Sequence, residues 1–194
     1  MAVFIGIFTL GVQQAKATSL LALTQGATLS IFDKQFDRWA IPLNGNDNNV
    51  DLRDIDVTTF GDALNPGLRY TASNDALSSD TGGLFLEFQF RVSTNSGASL
   101  IKDNSLEVGV NDFFFGGDGF FTIDEDVFKD DQFSSPVLDE FGSNVFKQVA
   151  ANSTGNNLLF QNVNFLSQQS EIFVDTRILL ELAPGPLSGI TQFE

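Results

Sequence analysis

The sequence contains no cysteine and no histidine, and only one tryptophan and one tyrosine. Without cysteine there is no disulfide framework and no thiolate nucleophile. Without histidine as well, a Ser-His-Asp triad and a His- or Cys-bound zinc are excluded. Cations are scarce: 10 Lys plus Arg stand against 25 Asp plus Glu, for a formal net charge of −15. That charge repels phosphate backbones and argues against nucleic acid as a partner. Phenylalanine, by contrast, is abundant at 21 residues, and the chain of 194 residues is long enough for one domain with a sizeable core.

The first twelve residues, Met1 to Val12, are small or apolar apart from Thr9, and Ala15-Lys16-Ala17 follows shortly after. An apolar run ending in an A-x-A site is the pattern of a secretory signal peptide. It is too short for a bilayer, which needs about 20 apolar residues. The other reading is a buried N-terminal strand or helix, and no basic residue precedes the run. We expect residues 1–17 to be a cleaved signal and residues 18–194 to form one β-domain. No later apolar segment is long enough to span: Ile178-Leu179-Leu180 ends at Glu181. The mature chain is therefore expected to be secreted or held at the cell envelope, without a membrane span.

Strand patterns dominate what remains. In Leu84–Val92 the residues Leu86, Phe88, Phe90 and Val92 fall on one face, and Glu87, Gln89 and Arg91 on the other. Period-two alternation of this kind marks a half-buried antiparallel strand. Glu171–Leu182 repeats it, with Ile172, Val174, Ile178 and Leu180 on the apolar face. These eight apolar residues are the expected core. Shorter runs are expected at 28–32, 36–41, 55–60, 68–72, 106–110, 120–123 and 158–165. Turn residues separate them, as at Asn44-Gly45, Asn65-Pro66-Gly67 and Gly116-Gly117-Asp118-Gly119. The fold class predicted is all-β, an antiparallel two-sheet β-sandwich of jelly-roll-like form. One helical stretch over 136–146 fits the spacing of Leu138, Phe141 and Val145, against the presence of Gly142.

Two acidic clusters are candidates for chemistry. The first runs from Asn46 to Asp56; the second is Asp124-Glu125-Asp126 followed by Asp130-Asp131. Calcium takes roughly six to eight oxygen ligands, which acidic loops supply, and Asp124, Asp126 and Asp130 are the candidate set. Asp124 and Asp126 share a face if the stretch is extended. Neither cluster has EF-hand spacing, so solvated loops are the plain alternative. A carboxylate pair for glycoside hydrolysis is not singled out by any spacing, and no G-x-S-x-G elbow occurs. Trp39 and Tyr70 are the candidate sugar-binding aromatics, since such sites favour rings with a polar handle. The runs Phe113-Phe114-Phe115 and Phe120-Phe121 must send neighbours to opposite faces, either into two buried layers or into an exposed apolar patch.

Several segments together resemble the exported cyanobacterial proteins that end in a PEP-CTERM sorting tail. The segment Leu20–Leu29 followed by Asp33-Lys34-Gln35-Phe36 is similar to the start of their mature chains, with Phe32 where those have Gly. Ile55–Thr58, Asn65–Leu68, Leu86–Val92 with Ile101–Leu106, and Ser188–Phe193 resemble later segments in the same order. The Pro-Glu-Pro motif, apolar helix and basic tail do not follow Glu194. The resemblance implies export and a cell-envelope or matrix setting, and it brings no catalytic residues. The expected function is an exported, non-enzymatic protein of the cell surface or extracellular matrix with a structural or interaction role. Its partners would be extracellular polysaccharide or other surface proteins. The alternative is a carbohydrate- or calcium-binding module, with Ca2+ the one cofactor in view.

Overall fold

The two alternating segments build the centre of the largest sheet. The computed structural model describes residues 17–46, 50–79, 83–95, 99–109, 111–155, 157–182 and 188–194. Residues 1–16 of the expected signal, and Asp47, Asn48 and Asn49 of the first acidic cluster, lie outside the described residues.

In chain order the elements are β1 (Thr18–Ser19), α1 (Leu20–Thr24), β2 (Leu29–Ile31), β3 (Lys34–Ala40), β4 (Ile55–Gly61), β5 (Pro66–Ala72), β6 (Ser78–Ser79) and β7 (Leu84–Thr94). They continue with β8 (Ile101–Glu107), β9 (Phe113–Phe114), β10 (Gly119–Phe128), β11 (Phe146–Asn152), β12 (Phe160–Gln169), β13 (Glu171–Leu182), β14 (Ser188–Ile190) and β15 (Gln192–Phe193). The protein is mostly β, and its strands divide among four antiparallel sheets. The largest has the order β11-β10-β13-β7-β3-β2; the others are β1-β4-β5-β15, β12-β8 and β6-β14-β9.

Register aligns the apolar parity across the large sheet. Ile178 lies opposite both Leu86 and Ile123, and Val174 opposite both Phe90 and Val127. One side of this sheet is therefore mostly apolar, interrupted where Glu125 lies opposite Lys147 and Thr176, and the eight expected core residues are all buried. Burying a large aliphatic or aromatic side chain contributes about 1.5–3 kcal/mol. The four-stranded sheet packs on that side: the Tyr70 ring of β5 lies 5.2 Å from Phe88 of β7 and stacks at 4.5 Å on Phe193 of β15.

Strand β3 changes phase part-way. Its register with β7 shifts between Asp37 and Ala40, and Arg38 adopts φ 53°. This bulge leaves Arg38 exposed and turns the next residue, Trp39, inward onto Phe90 at 4.6 Å. Before the bulge, Asp37 faces outward and takes two hydrogen bonds of 2.7 Å from Arg91. A bulge adds one residue to one strand, so the side chains beyond it swap faces.

The expected helix at 136–146 is a turn. Leu138 bridges Asn144, Gly142 has φ 84°, and the Asp139 carboxylate accepts from the backbone N–H of Phe141 and Ser143. A short acidic side chain that bonds its own backbone favours a turn over a helix. The one α-helix among the described residues is α1, where Ser19 accepts from Ala22 N–H at 3.3 Å and Leu20 and Leu23 are buried; a single 3-10 turn, Leu52–Asp54, precedes β4. Phe121 is buried, with Phe113 and Phe115 packed on it, while Phe114 and Phe120 face solvent. The phenylalanine runs thus split between the two faces.

Candidate functional site

A cavity of about 790 Å³ opens between the inner face of the large sheet and the strands opposite. Its floor is Phe36 of β3, Phe90 and Val92 of β7, and Ile172 and Val174 of β13. These are the inward residues that strand alternation dictates. One wall is the β4–β5 hairpin with Phe60, Leu68 and Tyr70; the other is β8, from Ile101 to Ser105.

The hairpin holds its shape through local chemistry. Asp62 accepts from the N–H of Leu64 and of Asn65, at 2.8 and 2.9 Å. Gly61 has φ +94°, and a Cβ there would meet the Asn65 carbonyl oxygen at 2.0 Å. Only glycine fits that position. The turn carries Leu64, which is exposed, to the border of the cavity. At the same rim Arg69 pairs with Glu194 and lies over the Phe60 ring.

One end of the cavity is polar. Glu125 of β10 lines it, although it sits on the same parity as Ile123 and Val127. Its carboxylate forms an ion pair with Lys147 of β11, which is 0% exposed. Thr176 of β13 donates to Oε1 at 3.2 Å, and Asn104 of β8 donates to Oε2 at 3.3 Å. Burial pulls the Lys147 ammonium below its ordinary pKa, and the Glu125 charge opposes that pull. Tyr70 lines the same cavity, is 3% exposed, and its hydroxyl has no hydrogen-bond partner. Burial, and then the charge of Glu125, push its pKa well above the usual phenol value. The phenol is therefore a neutral donor at physiological pH.

The candidate metal residues lie elsewhere. Asp124 and Asp126 do share a face of β10, but it is the outer one. Asp124 accepts from Gln148 Nε2 at 2.9 Å, and Asp126 pairs with Arg177. Asp130 lies beyond the strand, where it accepts from the N–H of Gln132 and of Ser134 at 3.1 and 3.0 Å. Among the described residues no group of three acidic side chains converges to hold a metal ion. Desolvation raises the pKa of Asp126 in spite of Arg177, with Asp175 and Asp124 adding repulsion. Within the first acidic cluster, Asn46 bonds both the N–H and the carbonyl of Val50, and Asp51 accepts from Arg53 N–H. These side chains build their own loop.

The candidate sugar aromatics are not brought together on a surface. Trp39 is 5% exposed, with Phe88 and Phe90 stacked against its ring system. Only Tyr70 reaches the cavity. Sequence reasoning named Glu125 only as a member of the second acidic cluster and gave no site role to Lys147, Thr176 or Asn104. A signal for the first was present: Glu125 interrupts the apolar parity of Phe121, Ile123 and Val127. A buried acid on such a face requires a cation or donors nearby. No helix among the described residues is long and apolar enough to cross a membrane. Comparison of the chain with protein-family models, with curated proteins and with solved structures found no match.

Proposed function

We propose that this chain is an exported, non-catalytic binding domain of the cell surface or extracellular matrix, and that the cavity beneath the β4–β5 hairpin receives its ligand. The observation that carries this reading is the cavity itself, about 790 Å³ with an apolar floor and a polar end. Concave, largely apolar sites with a few placed polar groups are where small ligands bind. The large sheet forms one layer of a sandwich-like arrangement, and the smaller sheets together supply the facing layer. Export is supported by the apolar start with its Ala15-Lys16-Ala17 site, and the acidic surface suits a protein kept soluble outside the cell. The resemblance to PEP-CTERM-type proteins points the same way.

The cleft is tested with N-phenyl-1-naphthylamine, an uncharged dye that fluoresces in apolar surroundings. Saturable uptake near one dye per chain is expected, and loss of uptake in a folded Val92→Trp variant, whose indole fills the floor. Absence of uptake by the native chain would remove the reading. For export, secreted material should begin at Thr18; recovery of intact Met1 outside the cell would contradict it.

A further inference from the structure

The polar end of the cleft has a donor and acceptor pattern that selects a ligand class, given the binding role proposed above. Tyr70 offers an O–H with no partner in a site where it is 3% exposed. A buried donor left unpaired costs stability until something accepts from it. Glu125 offers the matching acceptor. Thr176 donates to its Oε1, while Lys147 and Asn104 donate to its Oε2. A carboxylate accepts about four hydrogen bonds, so Oε1 keeps room for one more.

Charge narrows the class. A ligand carboxylate at this end would meet Glu125, which is 6% exposed, and a ligand ammonium would meet Lys147 behind it. Neither field is screened by water at such burial. The pair cancels itself and leaves a place for a neutral group that both accepts and donates. A hydroxyl does both.

We propose that the cleft takes an uncharged amphiphile whose apolar body lies along Phe36, Phe90 and Leu68 and whose hydroxyl accepts from Tyr70 and donates to Glu125.

The test displaces N-phenyl-1-naphthylamine from the native chain with 1-decanol, decanoate and decylamine, three ligands of one chain length and three head groups. Decanol is expected to displace the dye at about tenfold lower concentration than either ion, because a site built for a hydroxyl penalises a group that leaves it unpaired or charged. Tyr70→Phe removes only an oxygen that lacks a partner, so the fold is retained, as a melting curve verifies. In that variant the preference for decanol should fall to about threefold or less. Equal displacement by the three head groups, or an undiminished preference in Tyr70→Phe, would overturn the ligand class while dye uptake still upheld the cleft. No dye uptake by the native chain would instead remove the cleft reading, and the ligand class with it.

Discussion

Three consecutive acids, Asp124, Glu125 and Asp126, meet opposite fates on the two faces of β10. Glu125 enters the interior, where Lys147, Thr176 and Asn104 engage both its oxygens. Asp124 and Asp126 face outward into a stripe that also holds Asp175 and Arg177. There the single guanidinium contacting Asp126 does not offset its desolvation and the neighbouring acids, and the Asp126 pKa rises. The inner acid is more deeply buried yet better compensated. Burial alone therefore does not set the cost of a charge; the cost follows from how many donors the neighbouring strands supply.

The largest expected effect breaks the inner half of this contrast. Lys147→Met leaves Glu125 buried without its cation and should cost about 3–5 kcal/mol in a denaturation curve. Adding Glu125→Gln should restore much of that loss. If the double variant is no better than the single one, the pair is not what holds this part of the interior. A comparable contrast exists on β7, where Phe88→Ala should cost about 3–5 kcal/mol and the outward Gln89→Ala within about 0.5 kcal/mol. Equal losses would mean that the two faces have been assigned the wrong way round.

The outer stripe is sharpened by pH. Burial, and then Glu87, raise the Asp175 pKa to about 6, and its Oδ1 has no partner. Below about pH 4 the group is protonated in both folded and unfolded chains, so it makes no difference to stability. Between there and pH 6 the unfolded chain gives up its proton first, and stability falls. Above pH 6 the penalty is complete. The shift corresponds to about 3 kcal/mol at most, and screening near the surface brings that to roughly 1–2 kcal/mol. Asp175→Asn should therefore stabilise the protein at pH 8 and do nothing at pH 3.5. Asp37 works in the opposite sense: Arg91 holds its pKa down, and its contribution disappears as pH falls through that lowered value. The smallest effect concerns calcium at Asp124, Asp126 and Asp130. With these acids already engaged and spread along the strand and its following turn, millimolar calcium should leave the melting midpoint where an equal ionic strength of sodium chloride leaves it. A calcium-specific rise would show that the outer stripe gathers a cation after all.

Strand parity made the central strands and the eight core residues legible from the sequence alone, because β7 and β13 bury one face and solvate the other. Strand β11 was missed. Its inward positions are Lys147, Val149 and Ala151, and a lysine at the head of the apolar parity hides the period. The 136–146 segment matched a helix in spacing, but Asp139 and Gly142 impose a turn that periodicity does not register. Trp39 and Tyr70 were singled out as rare aromatics. Tyr70 does reach the cavity, whereas the bulge at Arg38 commits Trp39 to the core, and a bulge has no dependable signature in one sequence. The polar end of the cavity draws on β5, β8, β10, β11 and β13, so no local spacing could have assembled it.

The order of strands in the large sheet also bears on when the protein can fold. Strand β13 lies between β7 and β10, yet it comes after both in the chain. During synthesis β7 and β10 emerge with no partner to join them until residues 171–182 have followed. Pairing across such sequence separations is slow, because a long loop must close before any contact rewards it. The centre of the sheet is thus a late event, completed only once residues 171–182 have left the ribosome.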